Sequence, residues 1–241
     1  MLQALIFDVD GTLADTERDG HRVAFNAAFH DAGLPWNWDV RLYGELLAVA
    51  GGKERLAHYA GQYAPELAAK PDFEAFLRKL HVIKTSHYVH LVAGGALPLR
   101  PGVANLLREA RKAGVKLAIA STTSPENVVA LLRASLAHDA ESWFDVIGAG
   151  DIVPNKKPAP DIYLWVLERL GLPAADCLAI EDSAHGLKAA RAAGIPALVT
   201  ENGYTRGQDF TGAVAVLPDF GATCLAELEV LHRTYDPHHK I

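Results

Sequence analysis

The sequence predicts an α/β fold: a doubly wound parallel-sheet core with an all-helical cap domain inserted after the first strand. Three observations carry this. Short apolar runs that read as buried strands recur along the chain. From about Leu97 onward they alternate with helical patterns. The stretch 17–96 holds helical patterns without a convincing strand. Alternating strands and helices build a parallel sheet covered on both faces. The expected division is therefore 1–16 with 97–241 for the core and 17–96 for the cap.

The first strand is read over Gln3–Val9, where Ala-Leu-Ile-Phe runs into acid. The cap follows, with helical patterns over Asp19–Ala32, Val40–Ala50, Glu54–Tyr63 and Asp72–Val92. In the core, Val115–Ser121, Ala175–Glu181 and Pro196–Thr200 read as buried strands, and Asp145–Ala149 and Ala213–Leu217 as weaker ones. Helices are expected over Gly102–Ala113, Ser124–Leu136, Pro160–Leu170 and Ser183–Ala193. The second opens Ser-Pro-Glu, a capping residue followed by proline at the first helical position. Gly114, Gly171 and Gly194 stand where three of these helices should stop. The tail Asp236–Ile241 is expected to be frayed, and its His238–His239 pair is too little for a metal site.

The composition excludes several classes. The 241 residues suffice for a full core domain and a smaller second one. The formal net charge of -6 speaks against a nucleic-acid binder, which needs a basic surplus. An anionic small substrate stays compatible, because local cations or a metal outweigh the global sign. The two cysteines, Cys177 and Cys224, form no CxxC pair, which suits reduced thiols in a cytoplasmic compartment. The apolar stretch Ala4–Phe7 is cut short by Asp8 with no basic region before it, so no targeting segment is read. No run approaches the roughly 18 apolar residues of a membrane span. A cytoplasmic monomer, off the membrane, is expected.

The chemistry is read from strand ends. In an extended segment, side chains two apart share a face, so Asp8 and Asp10 point together off a buried strand while Gly11 lets the chain turn. Two carboxylates this close repel unless a cation joins them, and oxygen ligands suit Mg²⁺. A lone Asp-x-Asp is more often a solvated turn; partners downstream change the weight. Ser121 ends a strand with Thr122 and Thr123 after it, a hydroxyl beside a helix N-terminus. Lys157 precedes Pro158-Ala159-Pro160-Asp161, where an ammonium can neutralise phosphate oxygens. Glu181-Asp182-Ser183 ends a third strand and supplies acid for a metal. Parallel strands bring all of these to one edge, where open α/β sheets bind ligands.

In this order, Asp8-Val9-Asp10-Gly11-Thr12, Ser121, Lys157 and Glu181-Asp182 resemble the four signature motifs of the haloacid dehalogenase (HAD) superfamily, over nearly the whole chain. The helical insertion resembles the subclass with a helical cap on a Rossmann-like core. Ala50-Gly51-Gly52-Lys53-Glu54-Arg55, together with Ser121–Asn127 and Lys156-Lys157-Pro158, is similar to the CbbY-type sugar-bisphosphate phosphatases. That group acts on xylulose-1,5-bisphosphate, an inhibitor of the Calvin-cycle enzyme Rubisco.

The resemblance implies roles. Asp8 is the expected nucleophile. Asp10 is the expected general acid and base. Ser121 and Lys157 hold the phosphoryl group. Mg²⁺ is held by Asp8, the main-chain carbonyl of Asp10, and Asp182, with Glu181 nearby. The cap is expected to choose the substrate. Gly51 and Gly52 allow close backbone approach, while Lys53 and Arg55 bring charge for a second phosphate or sugar hydroxyls. Glu17, His21 and Arg22 follow the first strand and are placed to reach the sugar; Thr12, Thr122, Thr123 and Asn127 complete the expected binding set. His87 and His90, three apart on a helix, read as partly buried cap residues rather than ligands. A phosphoglucomutase-like enzyme would share the core residues and differ in where phosphate goes. A receiver-like signalling module also joins Asp, Ser/Thr and Lys on a parallel sheet, but it leaves the helical insertion unexplained.

Overall fold

Residues 1–235 are described by a computed structural model; the tail with His238–His239 lies outside the described residues. Six parallel strands form one sheet: β1 (Ala4–Phe7), β2 (Lys116–Ala120), β3 (Val146–Gly148), β4 (Cys177–Glu181), β5 (Ala197–Thr200) and β6 (Val216–Leu217). The order across the sheet is β3-β2-β1-β4-β5-β6. The first strand is thus central, with Phe7 level with Ile119 of β2 and Ile180 of β4.

The two faces of the sheet differ in bulk. Leu5, Phe7, Leu117, Ile119, Leu178 and Ile180 face one side. They pack on α6 (Val103–Ala113), α7 (Pro125–Ser135) and α10 (Leu225–Thr234). Ala4, Ile6, Ala118, Ala120, Ala179 and Ala197 face the other and admit α8 (Asp161–Leu170) and α9 (Ala184–Ala192). Period-two alternation decides which residue meets which layer, and burial on both faces explains why these strands are apolar throughout.

The cap carries its own interior. A π-helical turn (Glu17–His21) leads into α1 (Arg22–Asp31), followed by α2 (Val40–Leu46), α3 (Gly52–Tyr63), a short α4 (Pro65–Ala68) and the long α5 (Phe73–Ala93). Phe25, Phe29, Trp38, Tyr43, Leu56 and Tyr59 form a separate buried cluster. Trp38 is its centre, with ring centroids 4.7 Å from Phe25, 4.9 Å from Phe29 and 5.3 Å from Tyr59. The Asn26 side chain holds the loop there, accepting from Trp38 N at 2.8 Å and donating to Trp38 O at 2.9 Å. Asp39 starts α2 by accepting from Leu42 N at 2.7 Å, as an N-cap aspartate does. At the far end of α5, Tyr88 and Val92 join the core cluster instead.

The two chain crossings between core and cap run side by side. Ala14 pairs with Leu99, and Arg100 N donates to Leu13 O at 2.8 Å. The buried Arg100 guanidinium then ties this point to the sheet, donating to the carbonyls of Gly11, Thr200, Glu201 and Pro218. The two terminal nitrogens meet carbonyl acceptors, and Asp15 stands 3.4 Å from Nε, so the buried charge is not left unpaired.

Several boundaries differ from the sequence reading. The first strand stops at Phe7, not Val9, because the chain turns there: Thr12 N and Leu13 N both bond back to Val9 O. The fourth strand starts at Cys177, since Ala174–Asp176 form a 3₁₀ turn. Ser124 precedes the helix as expected, with Pro125 first inside it, but its hydroxyl makes no capping bond. The π-turn, α4 and α10 were not read from sequence; α10 buries only Leu225 and Leu228, too sparse a pattern to show. Among the described residues, no helix is long and apolar enough to cross a membrane.

Candidate active site

The sheet order reverses direction beside β1, so a crevice opens between the ends of β1 and β4, where doubly wound folds bind ligands. Asp8 leaves β1 with its N–H still bonded to Ile180 O at 2.9 Å. Glu181 ends β4, Asp182 follows it, Ser121 follows β2, and Lys157 reaches in from the loop before α8. All five are buried. They line a cavity of about 360 Å³ under the cap.

Electrostatics tie them together. Lys157 Nζ donates to Asp8 Oδ1 at 2.7 Å and to Glu181 Oε1 at 2.5 Å. Burial opposes its charge, but Asp8 and Glu181 outweigh that and hold Lys157 well above the usual ammonium range. Burial pushes the Asp8 carboxyl up to about 7, with Glu181 and Asp10 adding to the rise and Lys157 opposing it. Burial also drives Asp182 well above the usual carboxylate range, with Asp8 and Glu181 adding to it. One lysine thus faces three buried carboxylates.

Asp8, Glu181 and Asp182 each offer a carboxylate oxygen, all within 4.8 Å of one another, and Glu181 Oε2 has no hydrogen-bond partner among the described residues. Buried acceptors without partners cost free energy. An all-oxygen donor set that is short of positive charge fits a hard divalent cation. The surroundings leave no slack: a Cβ at Gly186 would lie 1.8 Å from Glu181 Oε2, and one at Gly11 only 2.3 Å from Asp182 Oδ2. Gly11 also turns with φ +87°, a backbone angle that favours glycine.

Asp10 does something else. Its carboxylate is not in the triad; Oδ1 accepts from Thr16 Oγ1 at 2.5 Å and lies 2.8 Å from His21 Nε2. His21 Nδ1 lies 2.6 Å from Lys84 Nζ, on α5. An ammonium that donates to Nδ1 leaves the ring proton on Nε2, where it is donated to Asp10. Burial alone would raise the Asp10 carboxyl, but His21, Thr16 and Lys84 together hold it down at about 2. Lys84 is only 3% exposed, and burial lowers its pKa to about 8. Its charge rests over the Phe25 and Tyr88 rings.

Most expected residues converge. Glu17, Gly51, Arg55 and Thr122 line the main cavity, and His21, Gly52, Thr123 and Asn127 line a small adjoining one of about 40 Å³. Arg55 is buried and spends its donors inside the cap, on Leu46 O, Val49 O and Tyr43 Oη. Tyr43 in turn donates to Glu17. Three expected residues do not line either cavity. Thr12 is buried with its hydroxyl unpartnered among the described residues. Arg22 turns inward to Trp38 O and Arg18 O. Lys53 pairs with Asp151. The imidazole of His87 pairs with Asp31 on the outside of the cap, away from the cavity.

Three residues were missed. Lys84 occupies the buried face of α5 with Leu77, Leu80 and Tyr88, and a lysine within that apolar spacing was the available signal. Tyr163 donates to Glu181 Oε1 at 2.5 Å but reads as ordinary core in an apolar helix. Asn202 donates to Asp182 Oδ2 at 2.7 Å from the loop after β5, and no local pattern marks it.

A sequence profile of the family described as haloacid dehalogenase-like hydrolase matches residues 2–194. The protein CbbY (plasmid) of Cupriavidus necator is 56% identical over 220 residues, covering 91% of this chain and 86% of that protein. A crystal structure of CbbY from Rhodobacter sphaeroides in complex with phosphate superposes with a TM-score of 0.87 at 45% identity, covering 95% of this chain and 100% of that one. A mutant of the same protein in complex with xylulose-(1,5)bisphosphate gives the same TM-score and identity, covering 95% and 99%.

Proposed function

We propose a specific reaction for this chain, which belongs to the haloacid dehalogenase-like hydrolases: the Mg²⁺-dependent removal of phosphate from a sugar bisphosphate, xylulose-1,5-bisphosphate foremost, through a phospho-aspartate on Asp8. The observation that carries the reading is the seat of Asp8, buried between Lys157 and two further carboxylates at the floor of a capped cavity. The division into 1–16 with 97–241 and 17–96 belongs to the same proposal.

A carboxylate oxygen of Asp8 attacks phosphorus, and the bond from phosphorus to the sugar oxygen breaks. Asp10 gives its proton to the departing oxygen. Water then attacks the acyl phosphate, Asp10 takes back a proton, and Asp8 is freed with release of phosphate. One acid–base group thus serves both half-reactions. Ser121 and Lys157 orient the phosphoryl oxygens, and Lys157 offsets their charge; positioning and charge stabilisation dominate this chemistry. Asp8, Asp182 and the Asp10 carbonyl, with Glu181 beside them, would hold Mg²⁺, which would supply charge neutralisation at the phosphoryl group. The relay from Lys84 through His21 orients Asp10. A phosphate dianion beside Asp10 raises its affinity for the proton it must donate. Glu17 and Arg55 face the sugar from the cap. Gly51 and Gly52 offer backbone N–H groups, with Thr122, Thr123 and Asn127 opposite. Thr12, Arg22 and Lys53 line neither cavity, and this reading assigns them no contact with the sugar.

The test is phosphate release, with and without Mg²⁺, from a panel of sugar mono- and bisphosphates, with Asp8→Asn as control. Release from a pentulose bisphosphate that needs both metal and Asp8 supports the reading. Isomerisation of sugar phosphates without net release would make the chain a mutase. A stable phosphoprotein without turnover would make it a receiver-like module.

A further inference from the structure

Lys53, which the sequence pattern sends toward a substrate phosphate, crosses from cap to core instead. It lies in the first turn of α3, and its Nζ donates to Asp151 Oδ2 in the loop after β3. Asp151 is braced from behind. Lys156 Nζ donates to Asp151 Oδ1 at 2.6 Å and to Gly150 O at 2.5 Å. Lys156 is largely sheltered, its side chain 13% exposed. The core therefore presents a carboxylate with one oxygen held by its own lysine and the other turned to the cap. Partial burial works against the charge on Asp151, but the two lysines outweigh it and hold the carboxyl at about 2, so it is ionised at any working pH. Immediately before Lys53, Gly51 and Gly52 form the cap wall that faces Thr122 and, in the smaller cavity, Thr123.

We infer that Lys53 is a positioning residue: paired with the Lys156-braced Asp151, it seats the Gly51–Gly52 turn over Thr122 and Thr123 in the closed cap, without touching the substrate. The ion pair lies just after β3, apart from the Ala14–Leu99 crossing where the chain passes between core and cap. The Lys53 and Asp151 side chains are 34% and 55% exposed, so the pair is worth little in stability and its loss should move binding about two- to fivefold.

The test uses Lys53→Met, Asp151→Asn and the double variant in a thermodynamic cycle. Steady-state kinetics are measured on xylulose-1,5-bisphosphate. Small-angle scattering with orthovanadate gives a reading that does not depend on that substrate. Each single variant should raise KM about two- to fivefold with a smaller change in kcat. The double should lose no more than the worse single. All three should keep the wild-type Tm and show a larger radius of gyration with vanadate. A silent Asp151→Asn beside a raised KM in Lys53→Met would overturn the inference, because Lys53 would then act on the substrate itself. Effects that multiply in the double, or scattering identical to wild type, would overturn it too. If the wild type leaves the bisphosphate untouched, the substrate reading fails while the scattering arm still decides the role of Lys53.

Discussion

Core and cap differ in how the charges around the cavity are paired. In the core, polar atoms around the cavity are left short of partners: Glu181 Oε2, Asn127 Oδ1 and the Ser124 hydroxyl have none among the described residues, and Asp8 and Glu181 share one lysine. In the cap, the charges nearest the cavity are satisfied from within. Arg55 is held by Leu46 O, Val49 O and Tyr43, and Lys84 by His21 and two aromatic rings. Their interiors differ as well: the core is aliphatic and alanine-rich, while the cap relies on clustered aromatics. A small domain buries little surface per residue, and large rings recover part of it. The contrast is one of charge: the core leaves a carboxylate oxygen, Glu181 Oε2, without a partner at the cavity, whereas the cap pairs its cavity-side cations internally and leaves only neutral groups, Trp38 Nε1, Thr85 Oγ1 and Tyr88 Oη, without partners among the described residues.

The sharpest way to break this comparison is Asp8→Asn. It should lower turnover by about 10⁴-fold or more and leave thermal stability equal to or above wild type, since it removes a carboxylate from a crowded site. Retained turnover in a phosphate-release assay would place the chemistry elsewhere.

The cap's self-sufficiency is tested by Trp38→Ala, which opens a hole at the centre of its aromatic cluster. Such a truncation costs about 3–5 kcal/mol, measured by denaturant unfolding. A loss below about 1 kcal/mol would show that the cap does not depend on that cluster.

The incompleteness of the core predicts a metal effect on stability. Saturating Mg²⁺ at about 100 times its dissociation constant should add about 2.7 kcal/mol, roughly 5–10 °C in Tm for a chain of this size. Asp182→Asn should abolish that rise and make the metal-free protein more stable than wild type. A metal response retained in the variant would remove Asp182 from the donor set.

The smallest effect concerns pH. Burial lowers Lys84 from 10.5 to about 8, so the folded protein releases this proton earlier than the unfolded chain does. Between those values the unfolded state binds more protons, and wild-type stability should climb with pH relative to Lys84→Met. Over the same rise through about 8, Lys84 gives up its positive charge beside His21 and Asp10, and kcat should fall on an alkaline limb that Lys84→Met lacks. Parallel pH profiles for the two proteins would detach Lys84 from Asp10.

The strand-end cluster at the cavity was legible because it needs only short-range facts. Asp8 and Asp10 stand at one strand end; Ser121 and Glu181-Asp182 end two others; Lys157 precedes a helix. Parallel strands must bring those ends to one edge, whatever the loops do. The cap insertion was equally legible, from 80 residues of helical period without a strand. Lys53 and Arg22 read as substrate ligands because a charge beside a motif looks functional. Spacing along one helix cannot say whether that charge meets ligand, solvent or a carboxylate 98 residues away.

The sequence by itself determined the fold class, the strand-end cluster of Asp8, Ser121, Lys157, Glu181 and Asp182, and the all-helical nature of the cap. These follow from local periodicity and from the geometry of a parallel sheet. Only the tertiary structure decided that Asp10 turns from the carboxylate triad to His21 and Lys84, that Arg100 and Asn202 brace the loop after β1, and that Lys53 meets Asp151. Those contacts join residues far apart in the chain, and the way one packed body seats on another sets them, which no local pattern of side chains encodes.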